Sequence, residues 1–225
     1  MSSLLAAIYD RFMRRAEQAG LRAWRRELLA DLDGVVLEVG AGTGANLLLY
    51  PPAVTRIVLT EPDPAMRRRL RRAVRRARDP RAVVSPAPAD ALPADDGSLD
   101  AVVATLVLCS VPDPASALRE IRRVLRPGGR LVFLEHVAAT DRPDRFTWQR
   151  RIEPFWSPLT GNCHLTRRTE EEIVAAGFVI ERVASESMRK ALPWLRPSVR
   201  GVATRARDVR RPTEVLPGAV LPAAH

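Results

Sequence analysis

The stretch Val35-Val36-Leu37-Glu38-Val39-Gly40-Ala41-Gly42-Thr43-Gly44 decides how this chain is read. Its first half is a short apolar run rich in β-branched residues, which reads as a buried strand. Glu38 lies near the end of that run. Three glycines at alternate positions follow, and Ala45–Tyr50 then reads as the start of a short helix. Glycines at a strand-to-helix turn let the backbone bend sharply and leave no side chain between it and a ligand. Strand, glycine turn and helix start together make a nucleotide-sized shelf. The spacing is G-x-G-x-G rather than the G-x-G-x-x-G that cradles a dinucleotide pyrophosphate, which argues against an NAD-linked protein.

At 225 residues the chain is read as one α/β domain with additions, large enough to bury a core. No apolar run reaches the length of a membrane helix, and no cleavable leader is visible. Two cysteines, Cys109 and Cys163, suit a reducing, cytoplasmic setting and show no metal-ligand spacing, so no metal is expected. The net charge of +10 would ordinarily suggest nucleic acid. Lys190 is the only lysine, however, and the remaining 35 basic residues are arginine. So lopsided a ratio reads as compositional bias, and the charge is discounted as a functional signal.

Working outward, residues 2–32 read as helical and form a cover over residues 1–33. Leu4, Leu5, Ile8, Phe12 and Met13 share one face, with arginines largely off it. A cover for the site is preferred over a membrane-surface helix because the apolar face is short, leaving at most a peripheral membrane contact. Gly20 interrupts the run, and Trp24, Leu28 and Leu29 resume it. On the other side of the glycines, Arg56–Thr60 is a second strand ending in Glu61-Pro62-Asp63-Pro64. An acid about 20 residues past the glycines is where a ribose diol is held. Asp63 before Pro64 fits a helix cap, which leaves Glu61 for ligand. Met66–Arg78 is a helix with Met66, Leu70, Ala73, Val74 and Ala77 inward. Its eight arginines read as a solvated face, since no aromatic is interleaved for base stacking.

Ala82–Ser85 is a third strand and Leu99–Leu106 a fully buried fourth. Asp113 and Pro114 start a helix over Ala115–Leu125, and Arg130–Val137 is the fifth strand. Residues 138–168 are too long and too aromatic for a simple connection. Thr166 or Thr169 opens a helix closed by Gly177, Phe178–Val183 is a sixth strand, and Val199–Ala206 a seventh. Residues 207–225 are rich in Pro and Ala without periodicity and are expected to be a disordered tail.

Glu38–Gly44, Glu61, Asp90 and Pro127-Gly128-Gly129 together resemble the motifs of class I S-adenosylmethionine (SAM) dependent methyltransferases. The resemblance implies a Rossmann-like seven-stranded sheet with helices on both faces over residues 34–206. It implies SAM as cofactor, S-adenosylhomocysteine as product, and a cofactor site of Glu38, Gly40, Gly42, Gly44, Asn46, Glu61, Pro62, Asp90, Ala91, Thr105 and Leu106. In that pattern Asp90 takes the adenine amino group. A narrower set is similar to the microsomal thiol methyltransferases: Thr105–Val111, Leu134–Val137, Trp148-Gln149, Pro154-Phe155-Trp156, Cys163–Arg167 and Arg196-Pro197. That family carries a hydrophobic N-terminal anchor, which this sequence is expected to lack. The ubiquinone/menaquinone C-methyltransferases and phospholipid N-methyltransferases share the core motifs. An RNA methyltransferase is disfavoured, because Thr105–Leu108 stands where amine methylases of nucleic acid carry an N/D-P-P-Y/F loop.

The expected reaction is in-line methyl transfer to a small, lipophilic acceptor, with a thiol first. A thiol has an ordinary pKa near 8.5 and needs little help. An amine or carbon acid would need a base, for which Glu135, His136 and His164 are the candidates. Tyr9, Phe12, Trp148, Trp156, Cys163 and His164 are the expected pocket walls, with Cys163 as wall rather than nucleophile.

Overall fold

Seven strands form one sheet in the order β3-β2-β1-β4-β5-β7-β6. The computed structural model describes residues 13–206. The expected helical positions 2–12, including Tyr9 and Phe12, and the tail 207–225 lie outside the described residues. Strands β1 (Gly34–Val39), β2 (Val54–Thr60), β3 (Ala82–Ser85), β4 (Leu99–Thr105) and β5 (Leu125–His136) run parallel. β7 (Pro197–Arg205) inserts antiparallel between β5 and β6 (Phe178–Ser187). The chain order reverses beside β1 and β4, and in such sheets ligands sit beyond the carboxyl ends of the strands at that reversal.

Strand alternation gives the sheet a core on each face. Val36, Ile57, Leu59, Ala101, Val103, Val132 and Leu134 pack on one side with Leu28 and Leu29 of α1 (Arg22–Leu29) and Leu70 of α2 (Pro64–Ala77). Leu37, Val58, Val102, Leu131 and Phe133 pack on the other. There they meet Leu118, Ile121 and Val124 of α3 (Pro114–Val124) and Ile173 of α5 (Thr169–Ala175). Both-face burial explains why the central strands read as continuous apolar runs. Asp63 caps α2 by accepting from the Ala65 and Met66 amides at 2.9 Å, and Asp113 caps α3 through Ala115 and Ser116. In both helices a proline takes the first turn, where its missing N–H costs nothing.

Three local readings gain detail from the structure. The helix expected after the glycine turn is a single 3₁₀ turn, Leu47–Leu49, because Pro51-Pro52 stops it. As expected, Gly20 interrupts the helical run: with φ +139° it kinks the chain within Glu17–Leu21, ahead of α1. The long aromatic connection contains a seventeen-residue helix, α4 (Pro143–Leu159), despite prolines at 154 and 158. Buried Gln149 ties it down: its side chain accepts from the Ala139 amide and donates to the Val137 and Trp194 carbonyls. Among the described residues no helix is long and apolar enough to cross a membrane.

Candidate active site

The glycine turn leaves the end of β1 with each glycine needed for a different reason. Gly40 has φ +60°, and a Cβ there would stand 2.3 Å from the Val107 side chain of the loop after β4. Gly42 has φ +58° but faces open space, its nearest neighbour being 4.0 Å away. A Cβ on Gly44 would press on Leu70 of α2 at 3.1 Å. Gly40 therefore seats the turn against its neighbouring loop, and Gly42 leaves a bare backbone surface.

Glu61 closes that surface from β2. Its carboxylate accepts from the Gly42 amide at 2.9 Å and the Asp63 amide at 2.8 Å. Burial raises its pKa, against the lowering effect of those two amides. Each oxygen keeps further lone-pair capacity for a ligand hydroxyl. Pro62 follows, its carbonyl held by Arg67 at 2.7 Å. Asp90 and Ala91 are exposed in the loop after β3. That loop is pinned from α3, where Glu120 accepts from the Leu92 amide at 2.8 Å and Arg123 donates to the Ala94 carbonyl at 3.0 Å.

Glu38, Asn46 and Thr105 meet behind the turn in a buried network. Asn46 Nδ2 and the Tyr50 hydroxyl donate to Glu38 at 2.8 and 2.6 Å. Asn46 also donates to the Thr105 hydroxyl at 3.0 Å. Burial drives the Glu38 pKa from 4.5 up to about 7, against its bond from Tyr50 and the nearby Arg25 charge. Both Glu38 oxygens thus have protein donors, and the residue supports the turn from within. Arg25 of α1 is the member the sequence reading missed. Its guanidinium is buried and reaches Asn46 Oδ1 at 3.1 Å, Thr105 Oγ1 at 2.8 Å and Glu17 at 3.0 Å. One signal was available: position 25 falls within the apolar stripe Leu21, Leu28, Leu29, Leu32, where a lone arginine must find buried partners.

The loop after β4 starts at Leu106, whose φ is +57°. Glu135, at the end of β5, accepts from three successive amides of this loop: Val107 at 2.9 Å, Leu108 at 3.0 Å and Cys109 at 3.3 Å. The residue is wholly buried, and burial raises its pKa. As a candidate base it is therefore engaged elsewhere: it shapes the loop. His164 is also separate from His136. Its two ring nitrogens pair with Glu153 at 3.0 Å and Asn162 at 3.2 Å.

His136 instead joins Cys163, with Nε2 to Sγ at 2.9 Å. Trp156 Nε1 donates to the same sulfur at 3.3 Å, and the Trp156 ring stands edge-on to Trp194 with centroids 5.9 Å apart. The Sγ atoms of Cys109 and Cys163 and a ring nitrogen of His136 all lie within 4.8 Å of one another. Local spacing cannot reveal this convergence, because the three side chains are drawn from three elements. Hydrogen bonding from Cys109, together with His136 and Trp156, pulls the Cys163 thiol down to about 4 against its burial. The Cys109 thiol is pushed up. Trp148 is not part of this group: it is 60% exposed and lines a groove with Arg145, Ile152, Pro193 and Trp194. Of the expected walls, the structure brings Trp156 and Cys163 together and leaves Trp148 and His164 apart from them.

A family model described as a methyltransferase domain matches residues 37–133. The human thiol S-methyltransferase TMT1B is 40% identical over 182 residues, covering 76% of this chain and 73% of that protein. Human thiol S-methyltransferase TMT1A is 38% identical over 194 residues, covering 80% and 78%. Among solved structures, the geranyl diphosphate C-methyltransferase of Streptomyces coelicolor A3(2) superposes with TM-score 0.64 at 17% identity, covering 85% of this chain and 83% of that one. Its likeness fixes the fold alone, whereas the human relatives are similar along three quarters of the sequence. The sheet order, the glycine turn with its acids and this breadth of identity agree: the chain is a class I methyltransferase and belongs to the family of the thiol S-methyltransferases.

Proposed function

We propose that this protein transfers a methyl group from SAM to a small lipophilic thiol. The observation that carries the cofactor half is the 2.9 Å bond between the Glu61 carboxylate and the Gly42 amide, which joins the strand-two acid to the one glycine of the turn that faces open space. The bare turn at Gly42 admits the amino-acid end, Glu61 accepts from the ribose hydroxyls, and Asp90 with Ala91 borders the base. Thr105 and Leu106 border the cofactor from β4, while Glu38 and Asn46 hold the turn from behind. When bound, SAM supplies an electrophilic methyl on a sulfonium.

Support for a thiol acceptor comes from the relatives' names and from the space beyond β4 and β5. Trp156 and Trp194 meet edge to face there, and an aromatic face tolerates a cation. A thiolate and a sulfonium neutralise each other on reaction, so a dry apolar pocket favours the step. Thermal shift with SAM and S-adenosylhomocysteine should raise the melting temperature, and NAD should not. Glu61→Ala should lose most of that ligand-induced rise. Wild type should methylate alkyl and aryl thiols in a panel that includes amines, quinols and phospholipid headgroups. Methylation of only the non-thiol acceptors overturns the assignment.

A further inference from the structure

Cys109, His136 and Cys163 arrive from the loop after β4, the end of β5 and the loop after α4. Their convergence is built rather than incidental. Glu135 holds the Cys109 amide at 3.3 Å. The His164 amide donates to the Cys109 carbonyl at 2.8 Å, and Asn162, at φ +72°, donates to the Ser110 carbonyl at 3.0 Å. Arg167 adds a bond to the Val111 carbonyl at 3.0 Å. These contacts staple the loop bearing Cys163 onto the loop bearing Cys109. The His136 ring sits between, 4% exposed, with Nε2 on Cys163 and Nδ1 without a hydrogen-bond partner among the described residues.

We propose that these three side chains form a zinc site with one open coordination position, and that the acceptor thiol fills it as thiolate. Two sulfurs and an imidazole suit zinc, which takes Cys and His in tetrahedral array. Among the described residues no fourth Cys, His, Asp or Glu joins the group, and three protein ligands with a vacant fourth is the pattern of open, reactive zinc sites. Cys109 and His136 are buried while Cys163 is only half-buried, so the cluster opens on the Cys163 side, next to Trp156. Zinc bonds of about 2.0–2.1 Å to nitrogen and 2.3 Å to sulfur place tetrahedral neighbours roughly 3.5 Å apart. His136 and Cys163, at 2.9 Å, must part by about half an ångström to admit the metal, a side-chain adjustment within rotamer scatter.

On entry the thiol would lose its proton to solvent as its sulfur bonds the metal, since a coordinated thiol is deprotonated outright. The identity of the fourth ligand rests on the thiol reading of the function; the metal itself does not.

The test uses full-length protein, reduced and stripped with chelator, then titrated with Zn²⁺ or Co²⁺ alone. One equivalent of zinc should bind. Co²⁺ should give a thiolate charge-transfer band with the intense visible bands of four-coordination. Adding a small alkyl thiol should perturb those bands, while an alcohol of the same size should not. Cys109→Ala, His136→Asn and Cys163→Ala should each weaken zinc by more than about 100-fold, the upper range seen on losing a mere outer-shell partner. The proposal is overturned by either of two results: no stoichiometric metal, or binding that survives Cys163→Ala. Thiol methylation by metal-free protein would overturn the acceptor's place on the zinc yet leave the function standing. Zinc binding without thiol methylation would do the reverse.

Discussion

Glu38→Gln tests whether the acid under the glycine turn is held protonated. In the folded chain its pKa stands near 7 against an ordinary 4.5, chiefly through burial. A rise of that size corresponds to about 3 kcal/mol of preference for the neutral form. A folded-state pKa above the unfolded one contributes stability that is fully present below about pH 4.5 and lost as pH rises through about 7. Glutamine is a permanent mimic of the neutral carboxyl and should abolish that dependence. It also brings a cost of up to about 1–3 kcal/mol, because its amide N–H must either face the donor Asn46 Nδ2 or turn the Tyr50 hydroxyl, which donates to Glu38, into an acceptor. That cost does not vary with pH. Burial raises Glu61 and Glu135 in the same direction, so wild type alone cannot isolate Glu38.

The difference between the two proteins does isolate it. Denaturant unfolding of both at about pH 5 and about pH 8.5 should show the stability gap moving by roughly 2.5 kcal/mol in favour of the variant at the higher pH. A gap that is the same at both pH values refutes the reasoning. It would mean that Glu38 stays ionised in the fold, with Arg25 as its counter-charge, and that the network is a buried ion pair rather than a proton store.

Gly40→Ala should cost more than about 2 kcal/mol and lower SAM affinity, since φ +60° and the 2.3 Å approach to Val107 both resist a Cβ; chemical denaturation with a SAM titration checks it. In Glu135→Gln the Cys109 amide loses its acceptor, so hydrogen exchange at Val107, Leu108 and Cys109 should quicken and stability fall by about 1–3 kcal/mol, with exchange elsewhere in β4 unchanged. Arg25→Met removes a buried cation facing Asn46 and Thr105, and should raise the Glu38 pKa further and weaken SAM several-fold; ligand-dependent melting measured against pH reads both.

Much of the sheet is legible because each central strand is buried on both faces and bounded by a strong stop or cap. Asp63-Pro64 and Asp113-Pro114 mark helix starts by chemistry that acts within three residues. The same reasoning separates Asp63 from Glu61: the cap consumes one acid, and the other meets the glycine turn. Readings fail where the deciding contact is long-range. Helix α4 contains two prolines that local propensity penalises, and Gln149 offsets them through three backbone groups at the end of β5 and before β7. Arg25 meets Thr105 eighty positions away. Cys109, His136 and Cys163 are spread over more than fifty residues, and only the strand order makes them neighbours.

Arg25 also fixes where this enzyme can be cut. The stretch that matches the methyltransferase domain runs from residue 37 to 133, and a chain trimmed to it would keep every glycine and every acid of the cofactor turn. It would also discard the guanidinium beneath Asn46 and Thr105, and bare the surface that Leu21, Leu28, Leu29 and Leu32 cover. The turn is thus not a portable module: grafted onto another scaffold or swapped between relatives, it must travel with the helix ahead of it. A chimera joined between Ala30 and Gly34 inherits a mismatched plug, and transplants of the whole segment from Glu17 onward are the ones that should keep the donor's ligand affinity.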